Sequence, residues 1–109
     1  MSDIKTLIDA LKKFRDERDW EQFHNPKDLA IALSIEASEL LENFLWKDPD
    51  QANINDVKEE LADVLAYTLT LSESLGVDLT QALFSKLETI EERYPINECS
   101  TTGHKRWLK

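Results

Sequence analysis

Two stretches of the chain set pairs of acidic residues into the apolar stripe of a helix, which restricts the fold more than any other feature. In the first, Leu29, Leu33, Leu40 and Phe44 recur at helical spacing, and Glu36 falls inside their stripe. Glu39 follows at i+3, which sets its carboxylate beside that of Glu36. In the second, Glu60 and Asp63 repeat the arrangement, with Leu61, Ala62, Val64 and Leu65 around Asp63. A carboxylate taken out of water without a partner is costly, and like charges at i+3 repel. Two such helices facing inward need a compensating cation, and a metal ion is the simplest supplier. Neither pair has a Cys or His beside it, so the ligands would be all oxygen, which favours Mg²⁺ or Mn²⁺ over Zn²⁺ or copper. The same spacing also occurs on solvated helix faces, and Glu42, Glu59, Glu88, Glu91 and Glu92 are read that way.

The composition narrows the class of partner. With 109 residues, the chain is expected to form one domain with a real but modest core. Two glycines and three prolines leave little material for hairpins, so helices are favoured. The net charge of −9 and the lack of a basic stripe argue against a nucleic-acid polymer as partner. A nucleotide ligand stays open, because a bound divalent cation reverses the local field. The single Cys99 forms no internal disulfide, which fits a reducing cytoplasm. The N-terminal stretch is amphipathic rather than a signal peptide, and no apolar run reaches the length of a membrane span.

The apolar spacing predicts an all-α bundle of four helices. Ile4, Leu7, Ile8, Leu11 and Phe14 mark a first helix over about residues 3–18. Asn25-Pro26 reads as an N-cap with proline at the first helical position, opening a second helix that runs to about Phe44. Asn53 or Asn55 caps a third helix, which ends at Gly76 after Leu75. Its middle is apolar nearly all round, so Leu65, Leu69 and their neighbours are candidates for a subunit interface. Asp78 and Gln81 read as a capping box for a fourth helix, which Tyr94-Pro95 ends. The helical domain is thus expected over residues 1–96. The polar tail, 97–109, carries Lys105, Arg106 and Trp107, which could fold onto a site.

Phosphoryl and nucleotidyl transfer need several negative oxygens neutralised and a water aimed at phosphorus. Oxygen-ligated Mg²⁺ serves both needs. A base or sugar then needs aromatic surfaces, and phosphates need Lys or Arg. Trp20, His24 and Trp46 flank the second helix, and Lys86 and Arg93 lie on the fourth. Each has a plainer account: the aromatics could close the ends of the bundle, His24 could be a loop or capping residue, and Lys86 and Arg93 could be solvated charges.

The pattern Glu36-x-x-Glu39 followed by Glu60-x-x-Asp63 resembles that of the all-α nucleoside triphosphate pyrophosphatases, the MazG-like superfamily. Within it the chain looks most similar to the short single-domain MazG-like proteins and the dCTP pyrophosphatase branch. The similarity extends through RDWEQFH (18–24), EELADVLAY (59–67), VDL (77–79), Ser85-Lys86 and RYP (93–95). By this resemblance Glu36, Glu39, Glu60 and Asp63 hold Mg²⁺, with Mn²⁺ as a substitute, and a water on the metal attacks the α-phosphorus. The products are a monophosphate and pyrophosphate. The resemblance also implies that Trp20 and Trp46 contact the nucleoside, that Lys86, Arg93, Tyr94 and Lys105 contact the phosphates, and that subunits form dimers or tetramers. Ile35 and the pair Ile90-Glu91 depart from the residues usual in the family. The preferred substrate is expected to be dCTP rather than CTP, because an apolar wall of Trp20 or Phe23 against the sugar disfavours a second hydroxyl. A non-catalytic helical module, with acidic pairs that hold a structural cation or a basic partner, is the alternative.

Overall fold

A computed structural model describes residues 3–96. These residues form four α-helices: α1 (Asp3–Glu17), α2 (Pro26–Glu42), α3 (Ile54–Leu75) and α4 (Leu79–Arg93). Short 3₁₀ turns lie at Glu21–Phe23 and Pro49–Gln51, and the described residues contain no strand. The all-α class and the number of helices agree with the apolar spacing. The chain groups into two compact units, one through Val77 that carries α1 to α3 and one from Asp78 that carries α4.

In the first unit α3 is the central element and packs on both α2 and α1. Leu29 of α2 and Val57 and Leu69 of α3 are buried, and Leu69 is only 1% exposed. Side chains of this kind contribute about 1.5–3 kcal/mol each when removed from water. Thr68 and Thr70 do not interrupt the apolar middle of α3, because their hydroxyls donate back to the carbonyls of Val64 and Ala66, both at 2.7 Å. The apolar surface of α3 exceeds what this unit covers: Leu61 is 52% and Leu65 43% exposed.

The helix ends follow from capping chemistry. The Asn25 side chain accepts from the Asp28 N–H at 2.9 Å, with Pro26 at the first position of α2. Helix α2 stops at Glu42 rather than Phe44, because the Asn43 amide donates to the carbonyls of Glu39 and Leu40, at 3.3 and 3.4 Å, and the chain turns away. Of the two asparagines before α3, Asn53 is the cap and accepts from Asn55 and Asp56. At the other end Gly76 takes φ +70°, and the Val77 N–H donates to the Ser72 carbonyl at 2.9 Å. Asp78 accepts from the Gln81 N–H at 3.1 Å, the first half of the expected capping box of α4.

The same left-handed termination closes α1, one residue earlier than expected. Asp19 has φ +55°, the Trp20 N–H donates to the Arg15 carbonyl at 3.0 Å, and the Asp19 N–H donates to the Asp16 carbonyl at 3.1 Å. This reversal brings the Trp20 ring edge-on to Phe14, with centroids 5.7 Å apart. The guanidinium of Arg18 lies 3.7 Å from the Phe14 ring centre.

One charged clamp joins α1 to α3. Arg15 is buried, and its Nη1 donates to Oε2 of Glu73 at 3.0 Å while its Nε donates to Oδ1 of Asp16 at 3.0 Å. Burial works against the Arg15 charge, but the hydrogen bonds to Asp16 and Glu73 and their negative charges outweigh it and raise its pKa. Lys12 stands 3.8 Å from the other oxygen of Glu73. Arg15→Ala strips Glu73 of this partner across the helix interface and is expected to lower stability by about 2 kcal/mol. Denaturant unfolding checks this, and a loss no larger than that of an exposed i,i+4 pair such as Lys5–Asp9, about 0.5 kcal/mol, would show that the clamp contributes nothing special.

Candidate functional site

Packing of α2 on α3 turns two separate sequence patterns into one cluster. Glu36 on α2 and Glu60 and Asp63 on α3 each offer a carboxylate oxygen, and these oxygens all lie within 4.8 Å of one another. Glu36 and Glu60 are half-buried, whereas Asp63 is exposed. One oxygen of each half-buried carboxylate, Oε2 of Glu36 and Oε2 of Glu60, is buried with no hydrogen-bond partner. Glu39, one turn after Glu36 on α2, adds its negative charge to those acting on Glu36 and Glu60.

The electrostatics record the crowding. The Glu36 carboxyl is pushed up to about 7, first by the hydrogen bond with Glu39, then by burial and by the negative charges of Glu39, Asp63 and Glu60. Burial also raises Glu60, and the charges of Glu39 and Asp63 act in the same direction. An all-oxygen set with two unpartnered buried oxygens fits a hard divalent cation, which would accept those lone pairs and reverse the repulsion.

Beside the cluster, within the first unit, lies a half-open cavity of about 220 Å³. Asp63 lines it, together with Trp20, His24 and Tyr67. Nδ1 of His24 is buried without a partner. Of the residues singled out from the sequence, Trp20 and His24 thus share a cavity with Asp63, while Phe23 is 65% exposed and is not among the lining residues. Trp46 is 99% exposed in the connection between α2 and α3, at φ +64°, and does not line the cavity either. A bulky side chain in the left-handed region is uncommon and strained. Lys86 lies on α4, Arg93 in its last turn and Tyr94 at its C-cap, all in the second unit. Lys105 and the rest of the tail lie outside the described residues.

Arg15, Glu73, Tyr67 and Phe14 also line the cavity and were not singled out as site residues from the sequence. A signal existed for two of them: Tyr67 and Glu73 fall four and ten residues after Asp63 and share its face of α3. Nothing in the sequence marked Arg15 and Phe14, because only packing of α1 on α3 brings them there.

Comparison with known proteins adds independent findings. The MazG-like family pattern matches residues 31–106 of the chain. Among relatives, dCTP pyrophosphatase 1 of Mus musculus is 42% identical, over 89% of this chain and 60% of the relative. The Homo sapiens protein of the same name is 38% identical, over 96% of this chain and 65% of its own length. The chain therefore spans somewhat less than two thirds of these relatives. A crystal structure of a pyrophosphatase from Archaeoglobus fulgidus superposes with a TM-score of 0.81 at 38% identity, covering 87% of this chain and 94% of that one.

The raised carboxyls make the metal-free stability depend on pH. Between the ordinary carboxyl value of 4.5 and about 7 the folded chain keeps a proton on Glu36 that the unfolded chain has released. The metal-free protein is expected to be more stable near pH ~5 than near pH ~8, losing stability as pH rises through this window, and Glu36→Gln should flatten the dependence. Denaturant midpoints across that range check it, and a rise in stability with pH that Glu36→Gln leaves unaltered would contradict the crowding.

Proposed function

The chain belongs to the MazG-like family, and on that premise we propose that it hydrolyses deoxynucleoside triphosphates between the α- and β-phosphates. The products are the monophosphate and pyrophosphate, and dCTP is the foremost substrate. The observation that carries this is the cluster of Glu36, Glu60 and Asp63 oxygens within 4.8 Å, at the edge of a cavity walled by Trp20 and Tyr67. The relatives named dCTP pyrophosphatase support the choice of cytosine.

Glu36, Glu39, Glu60 and Asp63 would hold Mg²⁺, or Mn²⁺ in its place. A divalent cation there supplies neutralisation of the phosphate oxygens and activation of a water. Asp63, exposed and facing the cavity, is the carboxylate nearest an entering phosphate. Trp20 and Tyr67 offer flat surfaces to sugar and base, and such stacking is worth roughly 1–3 kcal/mol per base. Of the two aromatics, Trp20 supplies the apolar wall proposed at the sugar edge, since Phe23 is not among the lining residues. His24, which lines the cavity, together with Trp46 for the nucleoside and Lys86, Arg93, Tyr94 and Lys105 for the phosphates, completes the proposed substrate set.

Association of two or four copies of the chain belongs to the same proposal. The exposed leucines of α3, Leu61 and Leu65, support it, since a helix that is apolar all round favours a partner. No helix among the described residues is long and apolar enough to cross a membrane, so this surface does not mark a helical span. Sedimentation should show a dimer or larger at micromolar concentration, and a stable monomer would refute it.

The activity is tested by pyrophosphate release from a panel of nucleoside triphosphates with Mg²⁺. dCTP should turn over faster than CTP and faster than the other deoxynucleotides. Asp63→Ala or Glu39→Ala should abolish turnover while leaving the metal-free fold at least as stable, because like-charge repulsion is relieved. Full activity in either variant would sink the site. Cation binding without turnover of any member of the panel would favour a non-catalytic metal-binding module.

A further inference from the structure

The cavity beside the carboxylate cluster extends well beyond it. Asp63, Ala66, Tyr67, Thr70 and Glu73 all line it, and their spacing of three and four puts them on one stripe of α3. At 1.5 Å per residue, Asp63 and Glu73 are separated by about 15 Å along the helix. The stripe changes character along its length. It is acidic at Asp63, presents a flat ring at Tyr67, and ends at the ion pair of Glu73 with the buried Arg15. Phe14 and Trp20 add aromatic surface from α1 and the turn that follows it.

A nucleoside triphosphate carries its groups in the same order: phosphates, then sugar and flat base, then the polar edge of the base. With the phosphates at the acidic end, the base edge points toward Arg15 and Glu73. Stability alone gives little reason for an ion pair at that position, since replacing a buried pair by well-packed apolar residues is often neutral or stabilising. The pair also keeps hydrogen-bonding capacity in hand. Arg15 has five N–H donors, of which one goes to Glu73 and one to Asp16, and the Glu73 carboxylate can accept more than the contacts from Arg15 and Lys12.

We infer that Arg15 and Glu73 form a base-reading pair at the end of the cavity away from Asp63, selecting a nucleobase with an exocyclic amino group beside a ring-nitrogen acceptor. Glu73 accepts from the amino group, and Arg15 donates to the adjacent acceptor. Cytosine and adenine carry that pattern. Thymine, uracil and guanine reverse it and would set a carbonyl oxygen against the Glu73 carboxylate. At about 220 Å³ the cavity lies below the usual range of small-molecule sites, which favours the pyrimidine. This specificity rests on the proposed pyrophosphatase activity.

The test compares kcat/KM for dCTP and dTTP in the wild-type chain, Glu73→Gln and Arg15→Lys, with thermal unfolding of each protein alongside. Calorimetric binding of dCMP and dTMP to the metal-free chain gives a second readout that needs no turnover. The amide introduced by Glu73→Gln can donate to the thymine carbonyl, so the preference for dCTP over dTTP should fall at least tenfold in that variant, partly through a gain with dTTP. Arg15→Lys keeps the charge but loses the fork, and should shift the preference in the same direction. A smaller change in a folded variant, or equal losses on both substrates, overturns the inference, as does failure of both variants to fold. If the wild-type chain hydrolyses nothing, the activity proposal fails by itself and the binding data decide this one. A dCMP preference that Glu73→Gln removes supports the pair, and equal binding of dCMP and dTMP overturns it.

Discussion

The first unit is organised around a repulsion. Three carboxylates from two helices are gathered within 4.8 Å, and two of their oxygens are buried without a partner. No arrangement of the same residues as an isolated domain would favour this, since burial and like charge both act against the ionised forms. The hydrogen bond with Glu39, burial and the neighbouring negative charges push the Glu36 carboxyl up to about 7. What holds the carboxylates together is the packing of α2 on α3, in a unit whose buried apolar side chains include Leu29, Val57 and Leu69. Stability gained over that contact offsets the unfavourable electrostatics. A preorganised site of this kind is ready for a cation, because the cost of assembling its ligands is already met on folding.

A second charge arrangement, of opposite character, sets the far side of the cavity. Arg15 and Glu73 satisfy each other across α1 and α3, and the left-handed turn at Asp19 then folds Trp20 back over Phe14. The position of Trp20 therefore depends on a hydrogen bond from its own N–H to the Arg15 carbonyl, at 3.0 Å, as much as on its ring. One residue, Arg15, thus serves the clamp through its side chain and the turn through its backbone. The cavity sits between a repulsive cluster and an attractive pair carried on the same face of α3.

Much of this is legible in the amino-acid sequence. Periodicity of three and four identifies each helix because the backbone repeats every 3.6 residues, and Asn25, Asn53 and Gly76 mark boundaries because their conformations and side chains satisfy open backbone groups. The carboxylates of Glu36, Glu39, Glu60 and Asp63 stood out because acidic residues inside an apolar stripe contradict its pattern. Where boundaries slipped, a side chain outside the periodic signal was responsible. The Asn43 amide ended α2 early, and Asp19 took a left-handed conformation more typical of glycine.

The sequence alone determined the helices, their caps and the two acidic pairs, since these depend on residues within a few positions of one another. Only the tertiary structure decided that Glu36 meets Glu60 and Asp63, that Arg15 reaches Glu73 across 58 positions, and that Trp20 lines the cavity while Trp46 stands 99% exposed. Both tryptophans sit in connections beside α2 and look alike as text. Their difference comes from backbone direction at a single turn and from which helix packs beside it, neither of which leaves a periodic trace in the sequence.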